Sequence, residues 1–302
     1  MKTLFTLILG LFLFSAPASA QLALPDWKTV DIKVTHVAGS VYMIEGFGGN
    51  IGVSAGPDGL LIVDDEYAPL TGRIRAAIAK FSKAPVRFVI NTHWHPDHVG
   101  GNANLKAAGG IVIAQDNTRE HILAFIGNKN LRPDEMLTAD HLPIITFEKR
   151  TTLHFNSDDA EVIHIRPAHT DGDAIVFFRK ANVIHTGDGF FHGFYPFIDV
   201  AAGGSIDGMI GFYDALYAMA NADTKIIPGH GPLANREDVR VYQAMLKTVR
   251  ERVWAAIEAG ETIDSLIARK PLADLDPEWG GNLIKADGLL RMVWADLERL
   301  HK

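Results

Sequence analysis

The sequence predicts an α/β protein of two sheets with helices outside, and three patterns carry that expectation. The first third alternates short apolar runs with Gly-rich or Pro-Asp-Gly turns, as a meandering sheet does. Helical and strand-like stretches then alternate. A further series of short strand candidates follows and duplicates the layout.

In chain order, strands are expected at Ile32–His36, Val41–Glu45, Ile51–Ala55 and Leu60–Asp64. Pro69–Phe81 then places Leu70, Ile74, Ala77, Ile78 and Phe81 at helical spacing with charges between them. The strand Val86–Ile90, a helix over Asn102–Ala107, the strand Ile111–Ala114 and a helix over Asn117–Ile126 continue the alternation. Gly127–His141 is polar and mixed and reads as a surface insertion. The second series of strands is expected at Ile144–Phe147, Thr151–Phe155, Glu161–Ile165, Ala174–Phe178 and Val183–His185. After His230 the chain turns helical: Val239–Ala259 carries an apolar stripe and stops at Gly260, Thr262 and Asp264 offer N-caps, and Ile284–Leu300 closes. These helices, within residues 235–302, read as an extension that covers the core or forms a homo-oligomer surface. There is no clear repeat or low-complexity segment.

At 302 residues and 47% hydrophobic content the chain can bury a substantial core, as one large domain or two small ones. A net charge of -7, with lysines and arginines dispersed, gives nucleic acid little to hold. Met1–Ala20 has the layout of a signal peptide: Lys2, the apolar Leu4–Phe14, then the small-residue motif Ala18-Ser19-Ala20. Residues 21–302 are therefore expected as the mature body, periplasmic or secreted, without membrane attachment after cleavage. With no cysteine, disulfides, a catalytic thiol and thiolate ligands are excluded, so any metal is held through nitrogen and oxygen.

The run Asn91-Thr92-His93-Trp94-His95-Pro96-Asp97-His98-Val99-Gly100-Gly101 packs three imidazoles and a carboxylate directly behind a predicted strand. His93 and His95 are two apart, so an extended backbone aims both rings to one side, while Pro96 turns the chain and brings Asp97 and His98 from another angle. Metal sites commonly use three protein ligands and keep a position open. Four candidate ligands in one run therefore suggest two cations, for which imidazole and carboxylate suit zinc and admit iron or manganese.

The chain resembles the metallo-beta-lactamase superfamily. The resemblance covers roughly residues 40 to 232 and rests on the strand ending at Asp64, the run His93, His95, Asp97, His98, then His169 in Ala168-His169-Thr170-Asp171-Gly172, Asp188 in His185-Thr186-Gly187-Asp188, and His230 in Pro228-Gly229-His230-Gly231. It implies a four-layer αβ/βα sandwich whose strand-end loops meet at one edge. It further implies that His93, His95 and His169 hold one metal, Asp97, His98 and His230 a second, and that Asp188 bridges them. Metals about 3.5 to 4 Å apart can share a hydroxide whose parent water has its pKa lowered towards about 7. Asp97 would be the catalytic side chain that orients the nucleophile and carries a proton to the leaving group.

The implied protein is an exported dinuclear zinc hydrolase acting on a small-molecule carbonyl substrate: a beta-lactam, a lactone or another ester. Asp188 stands where the best-known zinc beta-lactamases have cysteine or serine, so the ligand set looks more like that of glyoxalase II or a lactonase. Pro228-Gly229-His230-Gly231-Pro232 departs from glyoxalase II around its last histidine, and no glutathione-binding basic cluster is evident. A mono-iron enzyme like the persulfide dioxygenases, phosphodiester cleavage, and a non-catalytic metal-binding or partner protein are the alternatives.

Among the other candidates, Asp64, Asp65 and Asp173 compete to orient a ligand histidine. Gly46-Phe47-Gly48-Gly49-Asn50 reads as a mobile lip or an ordinary hairpin. The aromatic run Phe190–Phe197 reads as core with one or two rings facing substrate, and His192 within it stays open. His36, His121, His141, His154, His164, His185 and His301 read as surface or satisfied core residues.

Overall fold

The computed structural model describes residues 24–128 and 132–301; the signal-peptide expectation for Met1–Ala20 lies outside them. The first sheet runs in chain order: β1 (Lys33–Ala38), β2 (Val41–Glu45), β3 (Ile51–Gly56), β4 (Gly59–Val63), β5 (Val86–Ile90), β6 (Ile111–Gln115) and β7 (Ile145–Phe147). Its first four strands pair antiparallel. From β4 onward the pairing is parallel, which needs crossover segments. Helix α1 (Thr71–Ile78), α2 (Pro96–Val99), α3 (Asn102–Ala107) and α4 (Asp116–Phe125) lie in those crossovers.

The second sheet holds β8 (Arg150–Phe155), β9 (Asp158–Ile163), β10 (Ile175–Phe178), β11 (Val183–His185), β12 (Lys225–Ile227) and β13 (Ala234–Asn235), in the order β13-β12-β11-β10-β9-β8. Helix α5 (Ile206–Met219) connects β11 to its parallel neighbour β12. The chain ends in α6 (Arg236–Glu258), α7 (Ile263–Ala268), α8 (Asp276–Trp279) and α9 (Ala286–His301). No helix among the described residues is long and apolar enough to cross a membrane.

Side-chain alternation separates the layers. On β4, Leu61 and Val63 face a core shared with Val176, Phe178 and Val183 of the other sheet, while Leu60 and Ile62 pack with Ile74 and Ile78 of α1. On the far face of the second sheet, Ile184 and Ile226 join Phe212 and Leu216 of α5, Leu246 and Val249 of α6, and Leu289 and Val293 of α9. Helix, sheet, sheet and helix thus form four layers. Each fully buried aliphatic side chain contributes about 1.5–3 kcal/mol, so the C-terminal helices cover a core the second sheet would otherwise leave exposed.

Two parts of this architecture differ from the sequence expectation. Helix α5 and strands β12 and β13 were not anticipated: α5 is apolar around most of its circumference, with Ile206, Met209, Phe212, Tyr213 and Leu216 buried, and β12 has only three residues. Neither displays a period to read. The stretch read as a surface insertion is packed rather than loose over its described C-terminal part. Leu137 and His141 are buried, and Asn102 Nδ2 donates to the His141 carbonyl at 2.9 Å.

Candidate metal centre

β5 ends at Ile90, and the chain bends through Thr92 and His93 instead of continuing as a strand. The two rings nevertheless converge, through unlike nitrogens: His93 Nε2 lies 3.1 Å from His95 Nδ1. Pro96 then opens α2 from its first turn, where proline's fixed φ and missing N–H are tolerated, and that short helix carries Asp97 and His98. The other strand-end loops deliver His169 before β10, Asp188 in a 3₁₀ turn just after β11, and His230 beyond β12.

All seven residues meet in two adjoining clusters: His93, His95, His169 and Asp188 in one, Asp97, His98 and His230 in the other, with the potential ligand atoms of each cluster within 4.8 Å of one another. Asp188 stands between them. Its Oδ2 lies 3.8 Å from His93 Nε2 and 3.6 Å from His169 Nε2, and its Oδ1 lies 3.1 Å from His98 Nε2 and 3.4 Å from His230 Nε2. Asp97 Oδ2 is 3.3 Å from His230 Nε2. A Cβ at Gly229 would overlap Asp188 Oδ1, and one at Gly49 would overlap the His98 ring; only glycine lets these backbones approach so closely.

The outward hydrogen bonds fix which ring nitrogens point in. Asp64 accepts from the Thr92 N–H at 2.8 Å and from Thr92 Oγ1 at 2.7 Å. With its proton committed there, the Thr92 hydroxyl accepts from His93 Nδ1 at 3.1 Å. Asp64 Oδ2 also accepts from His98 Nδ1 at 2.8 Å, the Phe197 carbonyl from His169 Nδ1 at 2.8 Å, and Asp199 Oδ2 from His95 Nε2 at 3.0 Å. In the neutral imidazoles each inward nitrogen then carries a lone pair. His169 Nε2 and His95 Nδ1 face one another at 2.8 Å with no proton left to share. Asp188 Oδ1 is buried without an accepted hydrogen bond. Converging lone pairs around a buried carboxylate are a donor set that a divalent cation completes, and the residues fit zinc.

Electrostatics separate the two clusters. Burial lowers His93 well below the usual imidazole value and His169 to about 4, leaving both neutral and ready to donate. Burial acts the same way on His98 and His230, but the carboxylates of Asp188 and Asp97 outweigh it, raising His98 and holding His230 at about 10. Burial would raise both acids, yet His230 and His98 pull Asp188 well below the ordinary carboxylate value, and the same imidazoles, His98 foremost, pull Asp97 to about 2. The second cluster in particular attracts positive charge.

The competition among Asp64, Asp65 and Asp173 resolves by position. Asp64 contacts a ligand ring directly. Asp65 instead accepts from the Gly101 N–H at 2.8 Å, closing the end of the ligand loop, and Asp173 accepts from the backbone N–H groups of His169 and Thr170 at 2.6 and 3.0 Å. Asp199 and the Phe197 carbonyl are partners that the sequence did not reveal; they lie in an irregular segment with no motif around them. The lip at 46–50 is tied down: Glu66 Oε2 accepts from the Phe47 and Gly48 N–H groups at 3.1 and 3.0 Å, and Asn50 Nδ2 donates to the Pro228 carbonyl at 2.9 Å. Of the aromatic run, Phe190, Phe191 and Tyr195 are buried core, whereas Phe197 is 38% exposed. The His192 N–H donates to the His230 carbonyl at 2.9 Å, while its ring turns away and contacts the Pro232 carbonyl at 2.9 Å. His185 is a satisfied core residue, its Nε2 2.9 Å from the Asn50 carbonyl, and His121 pairs with Asp171 at 2.7 Å.

Comparison with known proteins places this geometry. The family model described as the metallo-beta-lactamase superfamily matches residues 36–232. Hydroxyacylglutathione hydrolase from Pelagibacter ubique (strain HTCC1062) is 29% identical over 107 residues, 35% of this chain and 37% of that protein. The chain spans only 37 to 40% of the length of the curated relatives it matches first. Among solved structures, the fold is similar to a metallo-beta-lactamase from Pontibacter korlensis, with a TM-score of 0.59 and 17% identity over 72% of this chain and 99% of that one. It is also similar to the stereoselective inverting sec-alkylsulfatase Pisa1 from Pseudomonas sp., with a TM-score of 0.66 and 18% identity over 87% of this chain and 50% of that one.

Proposed function

The chain belongs to the metallo-beta-lactamase superfamily, and from that premise we propose an exported metallohydrolase that holds two zinc ions and opens a carbonyl substrate, namely a beta-lactam, a lactone or another ester. The observation that carries this reading is Asp188, which turns one carboxylate oxygen toward each of two three-residue groups of side chains. His93, His95 and His169 would hold one cation, Asp97, His98 and His230 the other, with Asp188 between. When bound, such a pair supplies a water-derived nucleophile near neutral pH and polarises a carbonyl.

The protein's own groups supply the rest. Asp64, Thr92, Asp199 and the Phe197 carbonyl hold four imidazoles in the tautomers that present lone pairs inward. His93, His98, His169 and Asp188 are buried, whereas His95, Asp97 and His230 are only partly so, and this side admits substrate. Asp97 remains ionised at neutral pH, its carboxyl held at about 2. From that open position it can orient a water by accepting its proton and then pass that proton to the departing group. Hydroxyacylglutathione hydrolase, an ester-type hydrolase by name, supports carbonyl chemistry. Export is supported by the signal-like layout of Met1–Ala20.

The test is a hydrolysis screen of the zinc-loaded protein against a penicillin, a cephalosporin, a carbapenem, acyl lactones, a thioester and a phosphodiester, with His95→Ala as the blank and metal content measured alongside. Hydrolysis of a carbonyl substrate at two zinc ions per chain, abolished in the blank, is the expected outcome. One iron per chain with oxygen consumption would replace the hydrolase with a dioxygenase. Mass spectrometry of the exported chain should find Gln21 at its start.

A further inference from the structure

Glu66 makes no hydrogen bond to any of the seven ligand side chains among the described residues, yet it joins two segments that hold them. It is fully buried, with a φ of +56°, and Asp64 two residues earlier has a φ of +60°. Side-chain-bearing residues seldom adopt this left-handed region, and they keep it only where surrounding contacts enforce it. Two sets of contacts do so at Glu66. Its carbonyl accepts from the Gly101 N–H at 3.0 Å, at the end of the ligand loop, and a Cβ at Gly100 would come within 2.7 Å of that same carbonyl oxygen. Its carboxylate reaches the opposite way, where Oε2 accepts from the Phe47 and Gly48 N–H groups at 3.1 and 3.0 Å. A Cβ at Gly46 would overlap the carboxylate, so the lip lies directly on it.

The lip in turn meets every member of the second cluster. The Gly49 N–H donates to the Asp97 carbonyl at 3.1 Å, and a Cβ at Gly48 would stand 2.9 Å from Asp97 Cβ. Gly49 packs against the His98 ring so closely that a Cβ there would overlap it. The Asn50 N–H donates to the Gly229 carbonyl at 2.7 Å, and Asn50 Nδ2 donates to the Pro228 and Gly231 carbonyls at 2.9 Å each, which brackets His230. No hydrogen bond of the lip among the described residues runs to His93, His95 or His169. The lip is thus a strut for one half of the centre, and Glu66 is what pins its tip.

Resting on the two-metal reading above, we infer that Glu66 is a positioning residue for the second cluster alone: it holds the lip against Asp97 and His98 and so sets where the Asp97 carboxylate stands. Asp64 serves both clusters and Asp199 the first; Glu66 gives the more open second cluster a support of its own.

The experiment titrates zinc into the metal-free protein under chelator competition, for wild type, Glu66→Met, Glu66→Gln and Gly48→Ala; the binding step lost in His230→Ala marks the second cluster. Glu66→Met keeps the side chain's length but offers no oxygen to the lip. It should weaken the second-cluster step about 10-fold, the lower end of what loss of an outer support costs, and leave the other step unchanged. Glu66→Gln should retain both steps, because a single oxygen takes both lip bonds and Oε1 makes none among the described residues. Gly48→Ala keeps the bond to Glu66 but sets a methyl against Asp97, so it should weaken the same step, and it decides the matter if Glu66→Met does not fold. An unchanged second-cluster step in Glu66→Met or Gly48→Ala, equal weakening of both steps, or a Gln variant as weak as the Met variant overturns the inference. Hydrogen–deuterium exchange of the metal-free protein gives a readout free of zinc and turnover: amides of 46–50 and 96–101 should exchange faster in Glu66→Met, and those of 166–172 should not. If wild type takes up fewer than two zinc ions the hydrolase reading fails, and the exchange result still decides the role of Glu66.

Discussion

The two clusters of the centre share Asp188 but are built differently. In the first, His93, His95 and His169 each have an outward nitrogen engaged by a hydroxyl, a carboxylate or a carbonyl, and three of its four members are buried. In the second, His98 is buried and tied to Asp64, while Asp97 and His230 are partly open. The first is a preorganised nitrogen site in which burial keeps His93 and His169 neutral. The second is a carboxylate-rich site whose imidazoles are drawn toward protonation. Placing an enclosed site beside an open one gives a centre both a firm anchor and a side where substrate and protons can enter.

The severest way to break this contrast is to remove the member common to both halves. Asp188→Asn should abolish binding at both clusters and lower kcat/KM by more than about 100-fold, since loss of mere outer partners already costs about 10–100-fold in affinity or activity; steady-state kinetics with metal analysis check it. Asp64→Asn comes next. Because Asp64 serves His98 directly and His93 through Thr92, zinc affinity should drop about 10–100-fold at both clusters, seen by competition with a chelator. Asp199→Asn should cause a loss within the same range of about 10–100-fold at the first cluster alone. Equal weakening of both would refute the assignment.

A gentler probe sharpens the comparison through pH. His98 and His230 are raised above the ordinary imidazole value by Asp188 and Asp97, so in the metal-free protein they carry protons that a cation must displace, and affinity at the second cluster should rise as pH rises. His93 and His169 are lowered and already neutral, so affinity at the first cluster should change less between pH 6 and pH 8. Calorimetric titrations at several pH values give the two slopes, and parallel slopes would contradict the picture. The smallest effect belongs to His121→Ala. This partly exposed partner of Asp171 stacks on Trp94 and touches no ligand side chain in the hydrogen bonds or ring contacts of the described residues, and such pairs contribute about 1 kcal/mol or less, so turnover should change no more than a few-fold.

The same contrast explains what could be read from the sequence. His93, His95, Asp97 and His98 sit in one short loop, where density of ligand types is itself a signal. His169, Asp188 and His230 are each isolated in the chain and became legible only through their order in a family pattern. The structure brings all seven together. Asp64 was legible as a candidate because it ends a strand beside the centre, but its separation from Asp65 and Asp173 depended on side-chain direction. Asp199 had no such signal, since its role arises from a fold in the backbone between Phe197 and Gly204. Most strands were visible through alternation, whereas β12 was too short and α5 too uniformly apolar for periodicity to register.

The terminal helices reach further than the core they cover. The Tyr195 N–H donates to the Trp279 carbonyl at 3.0 Å, the Ile198 N–H to Met292 Sδ at 3.4 Å, and the Ile206 N–H to Asp296 Oδ2 at 2.7 Å, so the stretch bearing Phe197 and Asp199 is moored at three points to the last quarter of the chain. Stiffness at the mouth is thereby delegated to a distant tail. Fraying of that tail on warming would slacken the segment whose Asp199 and Phe197 carbonyl hold His95 and His169.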